Sequence, residues 1–239
     1  FAVLSCDNLP ANGETARRIT SRLGALRGPG LGAWIEGEVP FPSTMVDRIV
    51  PATTAEDRAR VAAALGGVED AWPVVCEGFR QWVIEDRFAA GRPAWETAGA
   101  TFTDDVAPFE LMKLRMLNGA HSVLAYLGGL AGHETVAEGA ADPAFARFLR
   151  GLWAEVAPTV PVPPGVDLEG YAARLLARFR NRALLHRTAQ IAMDGSQKLP
   201  QRLLGPVRDL LAAGRPVPPH LALAVAGWMR HAMGVDEQG

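Results

Sequence analysis

Two cysteines in 239 residues exclude a disulfide framework, which needs more cysteines in a shorter chain. Cys6 and Cys76 stand far apart, with no C-x-x-C and no histidine at zinc-finger spacing, so a reducing, cytoplasmic setting is expected. Charge of one sign is lacking too: 24 basic against 26 acidic side chains leave a formal net charge of -2. The basic residues are scattered, so nucleic acid is not an expected partner. No apolar run approaches the roughly 20 residues that cross a bilayer, and no membrane association is expected. Five dispersed histidines make no metal-ligand cluster. His133-Glu134 comes nearest, but Ala137 stands where H-E-x-x-H needs its second histidine. No G-x-S-x-G nucleophile elbow occurs. No G-x-G-x-x-G opens a helix after a strand, and Gly28-Pro29-Gly30-Leu31-Gly32 has the wrong context for one.

What is present is the composition of a globular protein, 49% apolar and 21% charged, enough for a substantial core. Phe1-Ala-Val-Leu-Ser-Cys6 reads as a short apolar strand rather than a signal peptide. A chain opening on such a strand is expected to be part of a longer protein. Residues 14–26 read as an amphipathic helix, broken by the glycine-rich stretch at 28–32. Val39 to Pro51 is extended, with a strand over 45–50. From Thr54 onward the pattern is mainly helical: 54–65, a long helix from Pro108 to about Leu130, one opened by Asp142-Pro143, then 168–191, 200–213 and 221–233. Gly78 to Phe88 reads as strand or loop, and three prolines make 159–165 a connector. Trp72, Phe79, Trp82, Phe88 and Trp95 read as packing residues. Arg174, Arg178, Arg180, Arg182 and Arg187 read as solvated helix faces, with a phosphate or carboxylate role open for one of them. The expected fold is mainly α, a multi-helix domain with a few short strands near the amino end.

The chemistry concentrates in Pro108-Phe-Glu-Leu-Met-Lys113-Leu-Arg-Met-Leu-Asn118-Gly-Ala-His121 and the apolar residues that follow. On a regular α-helix, at about 100° per residue, His121 lies about 80° from Lys113 and Asn118 about 140° from it, so one broad face can hold all three. Burial lowers the pKa of a lysine, which can then take a proton from a hydroxyl. An amide donor stabilises the oxyanion that forms, and an imidazole orients it. These are the parts for oxidising an alcohol by hydride transfer without a metal. The bland alternative is a lysine that snorkels to the surface and a histidine satisfied in the core.

The K-x4-N-x2-H run resembles the signature of the polyol-specific long-chain dehydrogenases, the mannitol dehydrogenase and fructuronate reductase family. Ser5-Cys6-Asp7-Asn8, Met45-Val46-Asp47-Arg48-Ile49, residues 76–86 and Met193-Asp194-Gly195-Ser196-Gln197-Lys198-Leu199-Pro200-Gln201-Arg202 resemble further family blocks in the same order. The resemblance implies a helical domain like the carboxyl-terminal half of 6-phosphogluconate-dehydrogenase-type enzymes, spanning residues 9–239. Residues 1–8 would then be the last strand of a dinucleotide-binding domain, the chain's expected partner. The implied reaction interconverts an open-chain polyol or aldonate with its ketose or keto-acid, using NAD or NADP; mannitol/fructose and mannonate/fructuronate are the leading pairs. Lys113 would be the general base, Asn8 and Asn118 the oxyanion pair, and His121 the group orienting the reactive oxygen. Asp47 and Lys198 would contact substrate hydroxyls. Gln190 stands where mannitol-oxidising members carry arginine, with Arg187 as a substitute suited to a carboxylate. The end beyond Gly234 looks short of a family terminus. A second reading is a non-catalytic helical module that packs on a nucleotide domain.

Overall fold

The computed structural model describes residues 1–234; the carboxyl-terminal reading lies outside them. Turn and cap chemistry sets where its helices begin. Helix α1 is Asn12–Arg27 and α2 is Pro29–Glu38, where only a break was expected. Gly28 is extended and Pro29 takes the first helical position, where a missing N–H costs no intrahelical bond. The two helices pack closely, since a side chain at Gly32 would meet the Ser21 carbonyl at 2.8 Å.

Strand β1 is Thr44–Asp47, followed by α3, Ala55–Ala64, whose Thr54–Asp57 capping box satisfies its first amides. Strand β2 is Gln81–Glu85 and β3 is Thr101–Thr103. They form one sheet in the order β1-β2-β3. β1 runs antiparallel to β2, with Thr44 opposite Ile84, and β3 parallel to it, with Val83 opposite Thr101. Residues 1–8 form no strand: Val3 N–H reaches the Pro40 carbonyl at 3.0 Å, one bond rather than a ladder. The chain is fixed near there by buried Asn12, whose Nδ2 donates to the Asp7 and Thr44 carbonyls while its Oδ1 accepts from Thr44 N–H. Trp82 stacks on Trp95 at 5.3 Å, as packing residues should, but Trp72 is 86% exposed.

After β3 the chain is helical. α4 is Ala107–Met112, followed by a π-helical turn over Lys113–Asn118, α5 at Gly119–Val123 and a second π-helical turn at Leu124–Gly128. α6 is Val136–Ala141 and α7 is Pro143–Val156, capped by Asp142 Oδ1 on Ala144 N–H at 2.7 Å. α8 is Leu168–Phe179, capped by Asp167. The helix expected to run on to Ile191 stops there. Asn181 Oδ1 accepts from Ala183 N–H at 3.1 Å and turns the chain, so α9 covers only Thr188–Ala192. α10 is Gly195–Leu199, leading through a π-helical turn, Pro200–Leu204, into α11, Gly205–Ala212; α12 is Pro219–Ala232.

These elements form two compact units. One holds residues 1–49 and 78–110, the other residues 50–77 and everything from 111 onward. The first contains the α1–α2 hairpin and the sheet, so the elements expected in one domain from residue 9 fall in both. The second is mainly α, built on Tyr126, Leu149, Leu152, Leu175, Phe179 and Leu203, each at most 2% exposed. No helix among the described residues is long and apolar enough to cross a membrane.

Candidate active site

The π-helical turn decides the layout of the site. Its widened ring, closed by Gly119 N–H on the Leu114 carbonyl, takes up one extra residue and so removes about 100° of rotation. His121 thereby comes to within about 20° of Lys113 and Asn118 to within about 40°, where regular α-helix would leave about 80° and about 140°. Single-turn widenings of this kind recur at functional sites. Lys113, Asn118 and His121 are 8%, 8% and 7% exposed, so the lysine does not snorkel. The three expected residues share one face and are buried together.

His121 is the most constrained of them. Its ring lies 4.6 Å from Phe179 and 5.4 Å from His186, edge to face with the latter. Its Nε2 is buried without a hydrogen-bond partner, a costly state for a polar atom unless a ligand completes it. Burial pushes its pKa well below the ordinary value, and the charges of His186, Arg202, Arg178 and Lys113 push the same way. The imidazole is therefore neutral at physiological pH, as an oxygen-orienting group requires.

This has a consequence for stability. The unfolded chain's histidine takes a proton near pH 6.5, whereas the folded one, with its pKa lowered, does not. Stability is unaffected above that pH and falls below it, by up to about 1.4 kcal/mol per pH unit for one site. His186, also lowered by burial, acts in the same direction. The urea midpoint should drop between pH 7.5 and 5.5, and the drop should be smaller in His121→Asn. Identical drops in both proteins would refute the assignment.

Lys198 extends the site from α10. Its Nζ donates to the Met193 carbonyl at 2.6 Å and stands 3.8 Å from Asp194 Oδ2. Desolvation and then the charge of Arg202 lower its pKa, against Asp194. Asp194 has φ 58°, a left-handed conformation unusual outside glycine and commonest where structure serves function. Gln190 and Arg187, the remaining expected positions of this unit, are both exposed, Arg187 at the start of α9. Asn8 and Asp47 lie in the first unit, Asn8 exposed and Asp47 2% exposed at the end of β1. Among the described residues no group of three His, Cys, Asp or Glu is placed to hold a metal ion.

Two features escaped the sequence reading. Arg178, expected on a solvated face, is part-buried and forked onto Glu77, with Nε to Oε2 at 3.0 Å and Nη2 to Oε1 at 2.6 Å. The signal was there: Tyr171, Leu175 and Arg178 are spaced i, i+4, i+7 along one stripe of α8, and the first two are buried. Arg180 is exposed, as expected of a solvated face, with its Nε donating to the Ala140 carbonyl at 2.9 Å. The second feature is His186, carried to His121 by the loop that interrupts the expected long helix.

Comparison with known proteins divides the chain differently, near residue 100, so that residues 50–77 of the second unit fall within the amino-terminal match. Residues 105–239 match the family model "Mannitol dehydrogenase C-terminal domain" and residues 1–97 match "Mannitol dehydrogenase Rossmann domain". The Rossmann-domain match thus reaches well past residue 8. The chain is 57% identical to the D-mannonate oxidoreductase of Escherichia coli (strain K12) over 240 residues, covering 100% of the chain and 49% of that protein. Among solved structures, it is similar to Pseudomonas fluorescens mannitol 2-dehydrogenase in ternary complex with NAD and D-mannitol. That match has a TM-score of 0.87 and 44% identity, over 100% of this chain and 48% of the other. A D-sorbitol dehydrogenase in substrate-free form gives a TM-score of 0.90 at 39% identity, over 100% of this chain and 49% of the other. The chain spans about half the length of the relatives it matches.

Proposed function

The chain belongs to the mannitol dehydrogenase family, and from that premise we propose that it carries the proton-handling side of a reversible, NAD-dependent oxidation of an open-chain polyol or aldonate. The observation that carries this reading is the burial of Lys113, Asn118 and His121 on one face of a π-widened helix. A lysine, an amide and a neutral imidazole form a proton-transfer and oxyanion-binding set, and the hydride needs a separate acceptor. NAD, when bound, supplies that acceptor; NADP would serve the same chemistry. No glycine-rich dinucleotide cradle is present in this sequence, so these residues are assigned to the substrate and none to the nucleotide phosphates.

In the forward direction Lys113 Nζ takes the hydroxyl proton as the hydride leaves the carbon that bears that oxygen. The Asn118 amide donates to the oxygen as charge develops on it, and His121 Nε2 holds that oxygen in line. In reduction Lys113 returns the proton. Lys198 binds a substrate hydroxyl from α10. The matching roles of Asn8 and Asp47 rest on family resemblance alone. A packing module has no use for three polar side chains buried together, which weighs against the non-catalytic reading. The family names on record include mannonate and mannitol oxidation, and both substrate classes enter the test.

The test is NAD reduction by the protein at its full natural length with mannonate, altronate, mannitol and arabinitol, with and without chelator. Chelator-resistant turnover on at least one substrate is expected. Loss of activity to the chelator would overturn the metal-free mechanism.

A further inference from the structure

Three arginines of the second unit reach inward, and they are not partnered alike. Arg178 is forked onto Glu77 at 2.6 Å, and Arg115 has Asp209 at 2.6 Å and the Thr159 carbonyl at 2.6 Å. Arg202 is part-buried and, among the described residues, has only the Ser122 hydroxyl, at 3.3 Å from Nη1. Among the described residues of this unit no carboxylate stands at salt-bridge distance from it. The acids nearest to it in the chain stand against other cations, Asp209 at 2.6 Å from Arg115 and Asp194 at 3.8 Å from Lys198. A guanidinium withdrawn from water without a counter-charge is costly, and a protein retains it where a ligand supplies the missing anion.

Its location points the same way. Nη1 of Arg202 reaches the hydroxyl of Ser122, the residue that follows His121 on α5, and Lys198 precedes Arg202 by four residues on the run from α10 into the π-helical turn. Arg202 is thereby tied both to the segment that carries the oxygen-orienting group and to the one that carries the hydroxyl-binding group. Gln190 and Arg187, the positions the sequence offered for a carboxylate, are exposed by contrast.

We propose that Arg202 holds the carboxylate of the substrate, and that the site is built for an aldonate in preference to a neutral polyol. A guanidinium presents paired N–H donors that match a carboxylate and have no equivalent use on a polyol chain. The cationic surroundings of His121 also favour an anionic substrate at encounter. This inference rests on the proposed dehydrogenase reading and names the substrate class of the same site.

The experiment compares kcat/KM for mannonate with kcat/KM for mannitol in the full natural-length protein and in Arg202→Gln. The ratio of the two should fall by about 100-fold in the variant, as expected when one partner of a desolvated charge pair is removed. Arg202→Lys, which keeps the charge but not the fork, should fall in between. A parallel measurement on the unmodified protein needs no folded variant: mannonamide, the uncharged isostere, should be used at least about 10-fold less efficiently than mannonate. An unchanged ratio in Arg202→Gln, or equal use of acid and amide, overturns the inference while leaving the dehydrogenase reading intact. NAD-linked turnover of neither substrate class would overturn that reading and this inference with it.

Discussion

Lys113→Ala should lower turnover by about 10²- to 10⁴-fold, the span of a general acid–base contribution, without unfolding the protein. The lysine is 8% exposed on a helix whose other residues are mainly apolar. The π-helical turn survives because its backbone bonds, such as Gly119 N–H to Leu114 O, do not involve the side chain. The loss should fall on kcat and on kcat/KM together, since the proton moves only in the transition state. A rise in KM at constant kcat would instead make Lys113 a binding residue. Far-ultraviolet circular dichroism and the thermal midpoint, measured alongside, separate lost chemistry from lost structure.

Glu77→Ala should destabilise the second unit by about 3–5 kcal/mol, because it leaves the Arg178 guanidinium buried without its carboxylate. Side-chain exposures of 9% for Arg178 and 3% for Glu77 place the pair beyond the reach of solvent screening. The pair also ties residue 77 to α8, two segments 101 residues apart in the chain, so its loss loosens the support of Phe179 and hence of His121. Urea unfolding measures the loss. The double variant Glu77→Met with Arg178→Met should recover most of it, since replacing both partners by apolar groups of similar volume is close to neutral. A loss below about 1 kcal/mol in Glu77→Ala would show the pair to be no stronger than an exposed one.

The parts of this protein legible in its sequence are those written locally. Thr54 with Asp57, and Asp142 before Pro143, announce helix starts, and α3 and α7 begin there. The residues that share the buried face, Lys113, Asn118 and His121, are legible as polar letters in an apolar run. Their mutual geometry is not, because a π-helical turn has no composition of its own and regular winding at 100° per residue misplaces them. The helix α2 is hidden by the glycine-rich run at 28–32, of which Gly32 serves close packing of the hairpin rather than chain reversal. The stop after Phe179 was hidden because neither proline nor glycine marks it, and Asn181 alone makes the turn. The surroundings of Arg178 and Arg202 are not legible in the sequence, where a charged residue reads as solvated. Whether a guanidinium faces a carboxylate, a hydroxyl or water is decided by tertiary contacts that no local pattern encodes.

The claim that Lys113 moves the substrate's proton is tested most directly by chemical rescue. Small primary amines are added to Lys113→Ala at its full natural length, with NAD and the preferred substrate, and the rate is followed against amine concentration. Rescue that grows with amine basicity, after allowance for amine size, is the expected result, because the amine replaces the missing base in the vacated space. A variant that stays inactive with every amine, or that never lost activity, would contradict the assignment of Lys113 as the base.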